Sequence, residues 1–408
     1  MNILMLGWEL PPHNSGGLGV ACYHMAKALA SLGASIDFVL PYQTPTTYEE
    51  FSVHGATDTP AEVIASEAGA YATICSECTD VDCTHTDTDI RTLQRRYMAY
   101  VEKLVRHKTP DIIHAHDWLT FEAAVLAKQI TGKPLIAHVH ATEFDRSGEH
   151  HGNPIVHDIE YNGLLMADHI IAVSQATKDL IVRRYQIPPD RISVVHNSMN
   201  PLDVSAAQSE DNSYIYLEQM KQRGYKVVVS ISRLTVQKGL NYLLSAAAAV
   251  VERDPKVLFL LAGSGELRDE LLEQSANLGI ASNVLFSDFV RGKAWRDTYR
   301  IADIFVMSSV SEPFGLTALE AAQFGPVICL SKQSGVSEVL SHALKFDYWD
   351  TDRLANFILT ATSEPALVDS LTTNSRREIS HMSWDKAADK IMHLYTHTPR
   401  LKLQEMAV

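Results

Sequence analysis

Positive charge is in short supply in this sequence: 35 Lys and Arg stand against 49 Asp and Glu, a formal net charge of −14. The imbalance is concentrated early, with 14 basic and 24 acidic residues in positions 1–200. A surface of that sign repels phosphate backbones and anionic headgroups, so neither a nucleic acid nor a membrane is expected as partner. Long apolar runs are also missing; none reaches the roughly 18 residues that span a bilayer. The opening M-N-I-L-M-L-G-W-E-L has no basic segment and meets Glu9 early. It reads as a first β-strand rather than a signal peptide. Cysteine is scarce and odd in number, five in 408 residues, which argues against a disulfide framework and fits a reducing cytoplasm.

Four soft ligands do cluster, at Cys75, Cys78, Cys83 and His85. The C-x2-C spacing suits a zinc half-site, but the closing C-x-H is tight for a tetrahedron. The surrounding run from Thr79 to Asp89 is polar and acidic, so a surface loop without metal is the expectation.

What the chain has is length and alternation. With 46% hydrophobic and 21% charged residues it is an ordinary globular protein, too long for one core, so two domains are expected. Apolar strand-like runs at 2–8, 35–40, 111–116, 134–140, 170–173 and 192–195 alternate with helical periodicity at 20–32, 121–130 and 174–185. Ser174 is a good N-cap for the last of these helices. Residues 41–90 form a long polar excursion, and 200–224 read as a linker. The alternation then restarts, with strands at 226–231, 257–261, 284–286, 304–307 and 327–330 and helices at 240–251 and 267–278. No internal repeat is evident. Repeated βα units predict two doubly wound, Rossmann-like α/β domains, 1–199 and 225–383, facing each other across a cleft where ligands sit at the carboxyl ends of strands.

The most informative run is Glu312-Pro-Phe-Gly-Leu-Thr-Ala-Leu-Glu320, which follows a strand and opens a helix. Phe314 and Gly315 make the turn; Gly315 lets a ligand approach the backbone, and the amides of Leu316 and Thr317 point at an anion with the helix dipole behind them. Ser232-Arg-Leu-Thr-Val-Gln-Lys-Gly239 also ends a strand, and Arg233 with Lys238 can neutralise a diphosphate without a metal. In the first domain Asn14-Ser-Gly16-Gly17-Leu-Gly19 is a glycine loop that does not match G-x-G-x-x-G, so a nicotinamide site is a poor fit. His114-Ala-His116-Asp117-Trp118 and His138-Val-His140-Ala-Thr-Glu143-Phe-Asp-Arg146 end successive strands and read as sugar-subsite residues.

Taken together these runs resemble the retaining GT-B glycosyltransferases of family 4 and the related glycogen and starch synthases, over nearly the whole chain. The resemblance extends to Ser383-Trp384 and a final helix, within about 384–408, that in this family joins the first domain. It implies that Arg233, Lys238 and the 315–317 amides hold a donor diphosphate, that Glu312 contacts the donor sugar, and that Glu320 contacts the ribose. His116 is implied at the sugar's C6 hydroxyl, Gly16 and Gly17 at the diphosphate, and Gly263–Gly265 with Asp288–Arg291 around the base. Asp117, His140, Glu143 and Arg146 belong to the acceptor side. One departure stands out: starch-type synthases carry lysine where this chain has Asn14, which weakens glycogen synthase relative to a broader hexosyltransferase.

The function so implied is transfer of a hexose, glucose, from ADP-glucose or UDP-glucose to an α-glucan, in the cytoplasm and with no cofactor. The Asp-x-Asp triplets at 80–82, 87–89 and 350–352, which hold a cation in a different glycosyltransferase fold, read here as surface charge, so no metal is expected. The alternative is a family 4 enzyme with a lipid-linked or small-molecule acceptor, which the acidic first domain disfavours. A sugar-nucleotide epimerase leaves the glutamate pair unexplained. A non-catalytic sugar-nucleotide sensor requires degraded motifs, and only Asn14 departs.

Overall fold

Runs such as Ile112–His116 and Val257–Ala262 are buried at every position, as strands covered on both faces must be. They belong to two all-parallel sheets in a computed structural model that describes residues 1–14, 16–61, 90–148, 152–199 and 212–398. The cysteine cluster at 75–85 and the acidic triplets at 80–82 and 87–89 lie outside the described residues.

The chain forms two units, Met1–Ser198 with Ser383–Val408, and Met199–Met382. The first unit starts β1 (Asn2–Leu6), α1 (Gly17–Ser31), β2 (Ser35–Leu40), β3 (Ser52–Gly55) and α2 (Ile90–His107). It continues β4 (Ile112–His116), α3 (Trp118–Thr131), β5 (Leu135–Val139), the single turn α4 (Glu143–Arg146) and α5 (Pro154–Met166). Then come β6 (His169–Ala172), α6 (Gln175–Tyr185) and β7 (Ile192–Val194). Its sheet runs β3-β2-β1-β4-β5-β6-β7. Ser174 caps α6, its Oγ accepting from the Thr177 amide at 3.0 Å.

The second unit holds α7 (Ile215–Gln222), β8 (Lys226–Ile231), α8 (Leu240–Arg253), β9 (Val257–Ala262), α9 (Arg268–Asn277) and β10 (Val284–Ser287). After these come α10 (Gly292–Ile301), β11 (Ile304–Met307), α11 (Leu316–Phe324), β12 (Val327–Ser331), β13 (Leu344–Phe346), α12 (Thr351–Ser363) and α13 (Pro365–Ser380). The sheet order is β10-β9-β8-β11-β12-β13, and its core packs Leu243, Leu244 and Ala247 of α8 with Phe259 and Ile304. The last helix, α14 (Trp384–His397), belongs to the first unit and packs on α1.

In each sheet the strand order reverses once, between β1 and β4 and between β8 and β11. Chain leaving neighbouring strands there diverges and leaves a crevice at the carboxyl edge. Four of the five motifs follow the strands at these two points, and the fifth, His138–Arg146, follows β5 next to β4.

Several local expectations need correction. The 200–224 stretch is not all linker, because 215–222 is helical; α7 buries only Leu217, too weak a pattern to read as a helix. The polar excursion at 41–90 contains β3, a four-residue strand at the edge of the sheet, S-V-H-G, with no apolar alternation. Asp350, in the third acidic triplet, caps α12, its carboxylate accepting from the Arg353 amide at 3.1 Å.

Candidate functional site

In the second unit the loops after β8 and β11 are laced together. The Val310 amide donates to the Gln237 carbonyl at 2.9 Å, and the Ser308 hydroxyl to the Lys238 carbonyl at 3.1 Å. This lacing brings Lys238 Nζ to 2.6 Å from Glu312 Oε2, across 74 positions of sequence, with each side chain 14% exposed. Ser309 Oγ also donates to Glu312 Oε2, at 3.4 Å. The backbone of Glu312 is held from the other side, its amide by Gln333 and its carbonyl by the amide of Gly335.

Gly315 then turns the chain into α11. Its φ is +107°, and a Cβ there would lie 2.8 Å from Met307 Sδ, so both conformation and space call for glycine. The N-cap of α11 is Gly315 itself, which has no side chain to bond the first amides of the helix. Phe314 is buried, its carbonyl accepting from the Val336 amide. Arg233 reaches Gln237 Oε1 at 3.3 Å. Glu320, on α11, accepts from the Tyr299 hydroxyl at 2.7 Å, and burial raises its carboxyl above the usual range. Gly263 lies so close to the preceding loop that a Cβ would fall 1.8 Å from the Ser232 carbonyl oxygen. Here glycine seats the β9 loop against the Arg233 loop, where the Leu234 amide donates to Ser264; Gly265 does the same against Leu234. Arg291 stacks its guanidinium on Phe289 at 4.9 Å.

In the first unit the glycine loop is braced from within. Buried Glu9 accepts from the Gly19 amide at 3.1 Å, stabilising the N-terminus of α1, and Asn14 Nδ2 donates to the Gly16 carbonyl at 3.0 Å. Gly17 opens α1.

Beside it, at the ends of β4 and β5, four imidazoles form a buried cluster. His114 and His116 stack at 4.4 Å, as do His138 and His140. Across the strands His114 Nε2 pairs with His138 Nδ1 at 3.1 Å, and His116 Nδ1 with His140 Nε2 at 3.0 Å. His114 Nδ1 meets the Tyr395 hydroxyl of α14 at 2.5 Å. Burial holds all four rings neutral, His114 and His140 down to about 3. Asp117 follows in a left-handed conformation (φ 57°), its carboxylate accepting from the His140 amide at 2.6 Å. Burial pushes that carboxyl up to about 7, with Arg146 opposing. Arg146 itself donates to Glu143 at 3.0 Å and Glu160 at 2.6 Å, and Tyr185 donates to the same Glu160.

Residues 15–201 match the profile of Glycosyltransferase Family 4, and residues 218–378 that of Glycosyl transferases group 1. The chain belongs to the family 4 glycosyltransferases. This glycosyltransferase is 27% identical over 405 residues to an uncharacterised glycosyltransferase of Methanocaldococcus jannaschii, covering 97% of this chain and 98% of the other. It is 26% identical to a glycogen synthase of Mycobacterium tuberculosis, over 98% of this chain and 95% of that one. Anabaena HepE, solved in complex with UDP-glucose, superposes with a TM-score of 0.70 at 19% identity, over 97% of this chain and 99% of HepE. The fold of this glycosyltransferase is GT-B.

Within the second unit of this glycosyltransferase the structure brings Lys238 to Glu312 and sets Gly315, Leu316 and Thr317 at the head of α11. Glu320 is tied instead to Tyr299. Within the first, Asp117, His116 and His140 come together, while Glu143 and Arg146 bond mainly to each other and to Glu160. Glu9, Ser309, Tyr299 and Tyr395 bond to these residues with no motif in the sequence to mark them. The pairing of His114 with His138 did have a signal: two H-x-H runs at the ends of neighbouring strands put all four rings on one face.

Proposed function

We propose that this glycosyltransferase transfers glucose from ADP-glucose or UDP-glucose to a soluble α-glucan, with retention at the anomeric carbon. The observation that carries the reading is the Lys238–Glu312 pair, one basic and one acidic group held 2.6 Å apart at the second sheet's reversal point. An ammonium has three N–H donors; Glu312 takes one, leaving two for diphosphate oxygens. Arg233 and the amides at Gly315, Leu316 and Thr317 add positive field on the same side. Glu312 meets the sugar's hydroxyls, Glu320 the ribose, and Phe314 seats the turn. Gly263 and Gly265 frame the base. The family resemblance adds Gly16 and Gly17 as diphosphate residues and His116 as the residue for the sugar's C6 hydroxyl; His116 Nε2 has no hydrogen-bond partner among the described residues. Asp117, His140, Glu143 and Arg146 shape the acceptor side through the loop they brace.

In the reaction the bond from the anomeric carbon to the diphosphate breaks and the acceptor oxygen bonds to that carbon on the same face. The departing phosphate oxygen takes the acceptor's proton. Negative charge grows on the leaving group, so fixed cations there stabilise the transition state more than the bound donor. A glucose-carrying nucleotide donor is supported by the HepE complex, the glucan acceptor by the mycobacterial relative. We place the enzyme in the cytoplasm, which suits buried thiols such as Cys22 and Cys329. Among the described residues no helix is long and apolar enough to cross a membrane.

The test is a panel of nucleotide sugars, with and without glycogen, repeated in EDTA. Glucose transfer that needs glycogen and survives chelation is the expected result. Transfer only to a lipid or small acceptor defeats the acceptor assignment. Loss of turnover in EDTA, restored only by Mg²⁺ or Mn²⁺, defeats the charge-neutralisation argument.

A further inference from the structure

Three elements of the first unit meet at one edge of the histidine cluster. Helix α1 supplies Cys22, β4 ends on His116, and His140 follows directly after β5. One ligand atom from each, the thiol sulfur and a ring nitrogen of either histidine, lies within 4.8 Å of the other two, and all three residues are buried. The two rings already hold nitrogens 3.0 Å apart, His116 Nδ1 and His140 Nε2. That is near the ~3.3 Å edge of a tetrahedron built on zinc–nitrogen bonds of about 2.0–2.1 Å. Their remaining nitrogens, His116 Nε2 and His140 Nδ1, are buried without a hydrogen-bond partner among the described residues, a costly state for polar atoms.

We propose that Cys22, His116 and His140 form a binding site for one divalent transition metal of borderline softness, Zn²⁺ or Co²⁺. Binding breaks the S–H bond of Cys22, forms a metal–thiolate bond and releases one proton to solvent. The metal takes the place of the proton shared between the two rings and leaves N–H on their far nitrogens. On His116 that makes Nε2 a fixed donor.

A second set, His114, His116 and His138, is equally compact. Charge decides between them. Three neutral rings around a dication in a buried site leave two positive charges uncompensated, which is expensive. The Cys22 set brings a thiolate; burial first, then the Asp117 carboxyl, push that thiol up before metal binds, so it is the metal's charge that draws the proton off. Imidazole with thiolate also matches the preference of zinc and cobalt. This site does not replace the cations facing the diphosphate, so metal binding here and metal-free turnover are independent.

The experiment strips the full chain with chelator and titrates it with Co²⁺. The expected spectrum shows a thiolate-to-cobalt charge-transfer band in the near ultraviolet and intense tetrahedral d–d bands, saturating at one equivalent. Cys22→Ser should abolish the charge-transfer band, and His140→Gln should weaken binding by about tenfold or more. Both variants are checked for native circular dichroism, and His140→Gln decides if Cys22→Ser does not fold. A chain carrying Cys75→Ser, Cys78→Ser and Cys83→Ser should keep the full signal. No binding, a band that survives Cys22→Ser, or a band lost with the other three cysteines overturns the proposal.

Discussion

Lys238 and Glu312 share one hydrogen bond yet serve different moments of the proposed reaction. Lys238→Ala removes charge facing the leaving diphosphate, so kcat should fall by roughly a hundredfold or more with a smaller change in KM. Glu312→Ala should be the more damaging of the two glutamate changes, because Glu312 meets the sugar as charge develops. Glu320→Gln keeps an acceptor oxygen for Tyr299 and weakens a contact that is similar in ground and transition states, so it should raise KM and spare kcat. Steady-state kinetics on the three variants checks the assignment. A Glu320→Gln enzyme without turnover beside an intact Lys238→Ala enzyme would reverse it.

The buried imidazoles set a second expectation. His114 and His140 are pushed down to about 3, and His116 and His138 are lowered as well. Unfolded, each binds a proton near pH 6.5, so between about pH 6.5 and 3 the unfolded state binds more protons and stability falls as pH drops. Asp117, Glu160 and Glu320, whose carboxyls burial raises, act in the opposite direction, three groups against the four rings. The urea midpoint should therefore fall steadily from about pH 7 to pH 5. A flat profile would mean that the rings are protonated or solvated in the native state.

Among the elements, α14 is tied to the sheet by a polar contact, Tyr395 to His114, inside an apolar seam. Trp384, Ala388, Ile391 and Tyr395 are buried, and Trp384 stacks near His24 of α1. Tyr395→Phe keeps the ring and strands His114 Nδ1 in the core, at a cost of about 1–3 kcal/mol. Thermal unfolding should show that loss, while Tyr395→Phe leaves KM for the nucleotide sugar unchanged; an unaltered melting curve refutes the tie. How legible an element was in the sequence followed from how it is stabilised. Strands such as β4 and β9 are apolar throughout and stand out. Helix α2 places Leu93, Tyr97, Val101 and Val105 four residues apart among five Arg and Lys, a stripe that escapes a reading based on apolar density. The motif loops were legible because glycine and charge mark them. Their partners Tyr299 and Glu9 were not, since a hydrogen bond that joins distant positions leaves no trace in spacing.

At the scale of the molecule, the net charge of −14 bears on what the enzyme meets. Cosedimentation with anionic vesicles should show no binding at physiological salt, where surface fields reach about 8 Å. Strong binding would favour a lipid-linked acceptor.

Chain order carries a different consequence. The second unit is one continuous stretch, Met199–Met382, whereas the first needs Ser383 onward to supply α14. During synthesis from the N-terminus, the ribosome therefore releases every residue of the second unit before the helix that covers His24 and His114 has emerged. The unit encoded first is the one completed last, and for the time it takes to translate roughly half the gene its histidine cluster waits without Tyr395.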